Sequence, residues 1–179
     1  MANNIVLLSG SPRKNGNTDR LVAAFVEGAN AAGKKARVFR VADMKIAPCL
    51  SCNACFKHPG VCAQKDDMAD ILAAVSKADA IVFASPIYFF AVSAQLKAAI
   101  DRLYAMTKAG MPIRESALLL TCGAPTTRVV ESVIFMFRAI GSYQKWREAG
   151  IVVAPNLHEP GEIDGRPELS EARKLGETI

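Results

Sequence analysis

Near its start the chain reads Ile5-Val6-Leu7-Leu8-Ser9-Gly10-Ser11-Pro12-Arg13-Lys14-Asn15-Gly16-Asn17-Thr18. The apolar run stops at a turn rich in glycine, serine and proline, which indicates a strand buried on both faces. From Thr18 onward apolar residues recur with the period of a helix, and Gly33 ends it. A buried strand, a polar loop and a helix in this order are typical of α/β proteins that bind a ligand at the loop.

The alternation of strand and helix continues along the chain. Further strands are predicted at residues 37–41, 80–84, 117–120 and 151–153, and further helices at residues 66–77, 93–106, 127–140 and 168–175. This pattern predicts an α/β fold of three layers, with a doubly wound, five-stranded parallel sheet between helices. Right-handed crossovers favour the flavodoxin-like strand order 2-1-3-4-5. We expect one domain over residues 1–179, in which the polar tail at residues 155–179 is mobile or folds over a partner subunit.

The composition limits the classes of function. A net charge of +5 favours anionic partners such as phosphates and nucleotides. The charges are scattered and no basic stripe carries interleaved aromatic residues, so we expect no nucleic-acid partner. We also expect no membrane partner, because no apolar run approaches the roughly 20 residues that span a bilayer. Without a signal-like segment, we expect a cytoplasmic protein whose five cysteines are thiols, metal ligands or redox centres.

The loop after the first strand has the chemistry of a phosphate site. It offers hydroxyls at Ser9, Ser11 and Thr18, and it opens a helix whose free N–H groups favour a phosphate. It lacks the lysine that follows the second glycine of a nucleoside-triphosphate loop, and it lacks the Gly-x-Gly-x-x-Gly of dinucleotide sites. The residues therefore favour a phosphomonoester, and an ordinary polar turn capped by Asn17 or Thr18 is the alternative.

At these residues the sequence resembles the NADPH-dependent FMN reductase family of flavodoxin-like proteins. The likeness lies in Gly10–Arg13, Gly16–Thr18, the segment Ser85–Phe89 that leaves the third strand, and Ile100–Arg102. It implies FMN as the cofactor, NAD(P)H as the hydride donor and a homodimer. The cofactor-binding residues expected in the three loops are Ser9, Ser11, Arg13, Asn17, Thr18, Pro86, Ile87, Tyr88, Phe89, Cys122 and Gly123.

A second motif lies after the second strand, where Cys49, Cys52, Cys55 and Cys62 form C-x2-C-x2-C-x6-C. Zinc sites more often use two separated cysteine pairs, whereas three cysteines at two-residue gaps suit a cubane cluster. The motif resembles the iron–sulfur flavoprotein branch of the family, which implies a [4Fe–4S] cluster that exchanges electrons with FMN. Free thiols or a redox disulfide are the alternative.

Three functions follow from these motifs. The leading hypothesis is an FMN-dependent NAD(P)H oxidoreductase that passes a hydride to FMN and on to a second acceptor, with the chemistry on FMN and no catalytic side chain. The alternative is an iron–sulfur electron carrier that receives electrons from a ferredoxin, and the third is a redox-sensing module. A hydrolase is disfavoured because Ser11 has no histidine in a triad arrangement. We expect His58 and His158 to be solvated and Cys122 to be a buried strand-end thiol.

Overall fold

The computed structural model describes residues 2–125 and 127–179. Its strands are β1 (Asn4–Ser9), β2 (Lys35–Arg40), β3 (Ala80–Tyr88), β4 (Ala91–Val92), β5 (Glu115–Thr121) and β6 (Arg147–Ala154). Five of them are parallel and lie in the order β2-β1-β3-β5-β6, which confirms the predicted order for the parallel strands. The added strand β4 pairs antiparallel with the end of β3. It forms because β3 continues beyond its predicted end at Ala84 and then turns back.

Helices cover both faces of the sheet. They are α1 (Asn17–Ala31), α2 (Ala54–Lys57), α3 (Met68–Val75), α4 (Ala94–Arg102), α5 (Glu131–Gln144) and α6 (Pro167–Thr178), with 3-10 turns at Val41–Asp43, Leu103–Met106 and Thr127–Val130. Successive side chains of β1 enter opposite cores, since Ile5 and Leu7 pack with α1 and α6 while Val6 and Leu8 pack with α3, α4 and α5. The three predicted layers are therefore confirmed. Within the described residues, no helix has both the length and the apolarity needed to cross a bilayer.

The C-terminal segment is an integral part of this architecture. The predicted helix at residues 168–175 is present as α6, and Ala172 and Leu175 on it are buried. Gly28 of α1 and Gly176 of α6 allow the two backbones to touch, because a Cβ at either position would overlap a carbonyl oxygen of the other helix. We expected a mobile tail or one that folds over a partner subunit. The structure instead packs α6 on α1 of the same chain.

Candidate functional site

The carboxyl ends of β1, β3 and β5 open onto one polar cavity of about 360 Å³, a volume that suits a small-molecule ligand. Parallel strands end at the same edge of the sheet, so the three loops that follow them meet there. Nine of the predicted cofactor-binding residues line the cavity: Ser11, Arg13, Asn17, Thr18, Pro86, Ile87, Tyr88, Cys122 and Gly123.

The other two predicted residues lie elsewhere. Ser9 is buried at the end of β1, and its hydroxyl has no hydrogen-bond partner among the residues that the structure describes. Phe89 is 97% exposed at the tip of the turn between β3 and β4. Phe89 and Phe90 both have left-handed backbone angles (φ 47° and 65°), which bulky residues rarely adopt. A cofactor contact stays a prediction for all eleven residues, but only nine of them line the cavity.

The first loop presents the start of α1 to the cavity. The Gly10 N–H donates to the Ala84 carbonyl over 2.8 Å, which ties the loop to β3. Gly16 caps α1 in an extended conformation, and no side chain within residues 2–125 and 127–179 caps the helix, so its first N–H groups are available to a ligand. A 15-residue helix also directs its positive dipole end at this point. The geometry therefore suits an anionic group near Ser11 and Thr18.

A fourth wall of the cavity consists of Leu157, His158 and Glu159, which belong to the segment predicted as a polar tail. The Asn17 side chain fixes this wall in place by hydrogen bonds. Its Oδ1 accepts hydrogen bonds from the N–H groups of Gly161 (2.9 Å) and Ile163 (3.4 Å), and its Nδ2 donates to the Glu159 carbonyl (2.9 Å). The Asn17 side chain thus positions the loop through residues 157–163, which we call the closing loop.

Two further contacts fix the closing loop. Arg13 Nη1 donates to the carbonyl of His158 over 2.9 Å. The Glu162 carboxylate accepts the N–H groups of His158 (2.6 Å) and Glu159 (3.1 Å), and these donors hold the pKa of Glu162 below its ordinary value. His158 is exposed, as predicted, but it also lines the cavity. The imidazole ring of His158 packs closely on Gly123, since a Cβ built at Gly123 would lie 3.0 Å from the His158 Cε1 atom.

The floor of the cavity is buried and partly polar. The hydroxyls of Thr18 and Thr121 share a hydrogen bond of 2.7 Å that joins α1 to β5. Cys122 is buried, and burial raises the pKa of its thiol, so it remains protonated at neutral pH. The prediction of a buried strand-end thiol is confirmed. Thr121 was missed although it directly precedes Cys122. The closing loop could also have been found, because β6 ends at the same edge as the other parallel strands.

The four cysteines of the second motif line a separate cavity of about 70 Å³, at the far end of α4. All four are free thiols; Cys49 and Cys52 are exposed, and Cys55 and Cys62 are half-buried. Ser51 and Asn53 both have left-handed backbone angles, which curl the chain around Cys52. We call the segment at residues 47–66 the cysteine loop.

A buried ion pair anchors both ends of the cysteine loop. Arg102 Nη1 pairs with the Asp66 carboxylate and donates to the Ala47 carbonyl (3.1 Å). Asp66 in turn accepts the N–H groups of Ala47 (3.0 Å) and Met68 (3.2 Å). Burial by itself raises the pKa of Asp66, but the hydrogen bonds from Arg102, Ala47 and Met68 outweigh it and leave the pKa below its ordinary value. Asp67 is the N-cap residue of α3, and the bond from the Met68 N–H to Asp66 ties the start of that helix to the ion pair.

Known proteins share this fold and this sequence pattern. Residues 3–149 match the family described as NADPH-dependent FMN reductase. The chain belongs to that family. An iron-sulfur flavoprotein from Methanosarcina thermophila is 33% identical over 96% of this chain and 93% of its own length. Another iron-sulfur flavoprotein, from Methanocaldococcus jannaschii, is 41% identical, but the match spans 55% of this chain and 50% of that relative. An NAD(P)H:quinone oxidoreductase from Methanothermobacter marburgensis shares the fold (TM-score 0.78, 18% identity, 99% of this chain and 96% of that one).

The cavity at the sheet edge of this family member fits FMN. A phosphomonoester would be matched by the free N–H groups of α1 and the hydroxyls of Ser11 and Thr18. A flat ring would be matched by the Pro86–Tyr88 segment on one side and by Cys122 and Gly123, whose small side chains leave the backbone accessible. The family and the geometry of the cavity thus both indicate a flavin mononucleotide as the ligand.

The cysteine loop fits an iron–sulfur cluster in its donor chemistry. Within residues 2–125 and 127–179, no three ligating side chains converge closely enough to hold a single metal ion. A [4Fe–4S] cluster instead takes one thiolate at each iron, so it needs four thiols around a common space. All four thiols of the motif line the 70 Å³ cavity, and the Arg102 guanidinium lies beside Cys62.

Proposed function

We propose that this protein is an FMN-dependent NAD(P)H oxidoreductase that transfers a hydride from a nicotinamide to FMN and then to a second acceptor. The observation that carries the proposal is the convergence of the phosphate loop, the aromatic segment and the Cys122-Gly123 turn on one cavity. The proposal is supported by membership of the NADPH-dependent FMN reductase family.

The residues of the chain act by binding and orientation. FMN, when bound, supplies the hydride acceptance and donation. The start of α1, with Ser11 and Thr18, holds the phosphate and fixes the position of the ring. The segment Pro86–Tyr88 supports the ring, and the closing loop limits access of water from the side of His158. Cys122 stays protonated and donates to the Ala124 carbonyl (3.6 Å), so it takes no part in thiol chemistry.

The test is an anaerobic titration of the FMN-loaded protein. NADH or NADPH should bleach the visible flavin absorption within the mixing time or with a saturable rate. A quinone, an azo dye and ferricyanide are then offered to the reduced protein, and recovery of the absorption identifies the class of acceptor. A bound flavin that neither nucleotide reduces would contradict the proposal.

A second candidate function is supported by the cysteine loop. We propose that Cys49, Cys52, Cys55 and Cys62 hold a [4Fe–4S] cluster, which would make the protein an electron carrier that accepts electrons from a ferredoxin. Helix α4 connects the two sites, because Ser93 at its start packs on Gly10 and Arg102 at its end lies in the cysteine cavity. Its nine residues span about 13 Å, so the two sites are neighbours.

Iron and acid-labile sulfide analysis of anaerobically purified protein tests the cluster. Four iron and four sulfide per chain, with reduction by reduced ferredoxin, would support the carrier function. A protein that binds FMN but takes up no iron on reconstitution would refute it. A trapped disulfide between two of the four cysteines, without iron, would favour the thiol-based redox sensor instead.

We further propose a homodimer. An apolar groove of about 810 Å³ runs between α4 and α5, and Phe135 and Tyr143 beside it are 76% and 66% exposed. Large exposed aromatic side chains that border such a groove mark an association surface. Sedimentation velocity should give a dimer mass, and Phe135→Glu should shift the protein to the monomer. Val38→Glu, an exposed position on the edge strand β2 outside the groove, is the control. A wild-type monomer at all concentrations would overturn the dimer.

A further inference from the structure

Arg102 is the most deeply buried cation of the described residues. Only 2% of it is exposed, and it is the largest of the fully buried side chains. A buried guanidinium is costly unless its charge and its N–H donors are matched. The Asp66 carboxylate supplies the charge match, and the carbonyls of Ala47 and Gln64 accept further hydrogen bonds (3.1 and 3.4 Å).

One donor of Arg102 is directed at a thiol. Nη2 lies 3.3 Å from the Sγ of Cys62, within hydrogen-bond distance for sulfur. A second thiol of the motif has a donor of its own, since the Ser51 N–H lies 3.4 Å from Cys49 Sγ. The Nε atom of Arg102 is buried and has no partner among the described residues. Not all N–H groups of the guanidinium are therefore needed to anchor the ends of the cysteine loop. Nη2 also reaches the Cys62 sulfur, and Nε has no partner among the described residues.

We propose that Arg102 is a positioning residue that tunes a cluster bound by the four cysteines, through its hydrogen bond to the Cys62 sulfur and its buried positive charge. The proposal rests on the second candidate function. Hydrogen bonds to the sulfurs and the net charge around a cluster both set its reduction potential. A fixed cation beside an anionic cluster favours the state with one more electron, so Arg102 raises the potential.

A purely structural role for Arg102 makes a different prediction. If it only ties Ala47, Gln64 and Asp66 together, its loss would lower the amount of cluster but leave the potential of the remaining cluster unchanged. Lysine separates the two roles, since Arg102→Lys keeps the charge but lacks the planar fork that reaches several acceptors at once. Arg102→Gln removes the charge and keeps a hydrogen-bond donor.

The experiment is a potentiometric titration of the anaerobically reconstituted, FMN-loaded protein, followed by electron paramagnetic resonance. In Arg102→Gln we expect the equilibrium constant for cluster reduction to fall about tenfold, a shift of about 59 mV for one electron. Arg102→Lys should shift less and in the same direction. Arg138→Gln is the matched control, because Arg138 is exposed and pairs with Glu148 on the surface. Equal potentials in all four proteins would overturn the proposal.

A measurement on the wild type covers the case in which the Arg102 variants lose the cluster. Wild-type protein labelled with ¹⁵N-arginine should show a weak nitrogen coupling to the reduced cluster in pulsed electron paramagnetic resonance. The coupling should survive Arg138→Gln. A wild type that holds its cluster without this coupling would refute the role of Arg102, whereas a wild type that binds FMN but no iron would refute the cluster itself.

Discussion

The FMN cavity and the cysteine loop are built in opposite ways. The cavity is formed by the ends of parallel strands and the start of a long helix, so its shape follows from the topology of the sheet. The cysteine loop has little regular structure, apart from the four-residue helix α2, and depends on one buried ion pair at its ends. The first site should therefore respond to changes in packing and the second to changes in charge. Substitutions in each of the two regions test that difference.

The largest effect is expected for Asp66→Ala. The variant leaves the buried Arg102 guanidinium without its carboxylate and removes the acceptor for the N–H groups of Ala47 and Met68. Breaking a largely buried ion pair costs about 3 kcal/mol of unfolding free energy. Urea unfolding measures this loss, and the rate of thiol alkylation should rise. Asp70→Ala, exposed on the same helix, is the control and should change stability by less than about 0.5 kcal/mol. A large loss of FMN affinity in Asp66→Ala would contradict the separation of the two sites.

The Asp66 carboxylate should also make the stability of the protein depend on pH. The pKa of Asp66 is lower in the folded state than in the unfolded state. Its contribution to the unfolding free energy is therefore present above the unfolded-state pKa and is lost as the pH falls through the folded-state pKa. Stability of the wild type should therefore decrease in acid below the ordinary carboxyl range. Asp66→Asn should show a flatter acid limb in urea unfolding measured at a series of pH values. Parallel acid limbs for the two proteins would show that Asp66 is not the group responsible.

The contrast between the sites also explains what the sequence could predict. The order of the parallel strands followed from apolar runs that alternate with helical patterns, and the rule that such strands end at one edge brought the three loops together. The choice of the nine cavity residues within those loops also used the resemblance to the FMN reductase family. The end of β6 places the closing loop at the edge of the sheet, but its conformation could not be predicted, because it depends on contacts with Asn17 and Arg13 that lie more than 140 positions away. Arg102 was noticed only as part of a family motif. Its burial depends on tertiary packing that no local pattern reveals.

Gly10→Ala tests the dependence of the FMN cavity on packing. A Cβ at Gly10 would overlap Ser93 Oγ and lie 2.6 Å from Leu96 Cβ, both at the start of α4. Overpacking of this kind costs about 2 kcal/mol of unfolding free energy. FMN affinity, measured by fluorescence quenching, should fall about tenfold because the phosphate loop moves. Gly141→Ala is the matched control, since a Cβ there would make only ordinary contacts at 3.7 Å or more. Equal FMN affinity in both variants would show that the loop tolerates displacement.

Asn17→Ala tests the closing loop. The variant loses three hydrogen bonds to that loop, but the freed groups can meet water, so the expected cost is about 1 kcal/mol. The dissociation rate of FMN should rise about fivefold in stopped-flow measurements, and iron content should stay unchanged. Asn30→Ala, exposed on the same helix, is the control. A normal FMN dissociation rate in Asn17→Ala would mean that the closing loop is not a barrier to the ligand.

The smallest effect is expected for Arg13→Ala, because Arg13 is exposed and makes one hydrogen bond to the closing loop. FMN affinity should fall about threefold at low salt, and the difference should shrink at high salt since exposed charges are screened. Lys14→Ala is the neighbouring control; it pairs with Asp43 on the surface and does not line the cavity. If Lys14→Ala weakened FMN binding more than Arg13→Ala, the phosphate would lie on the Asp43 side of the loop. FMN binding in the cavity would then depend on surface charge, although the shape of the cavity follows from the topology of the sheet. We expect such a dependence on charge only for the cysteine loop.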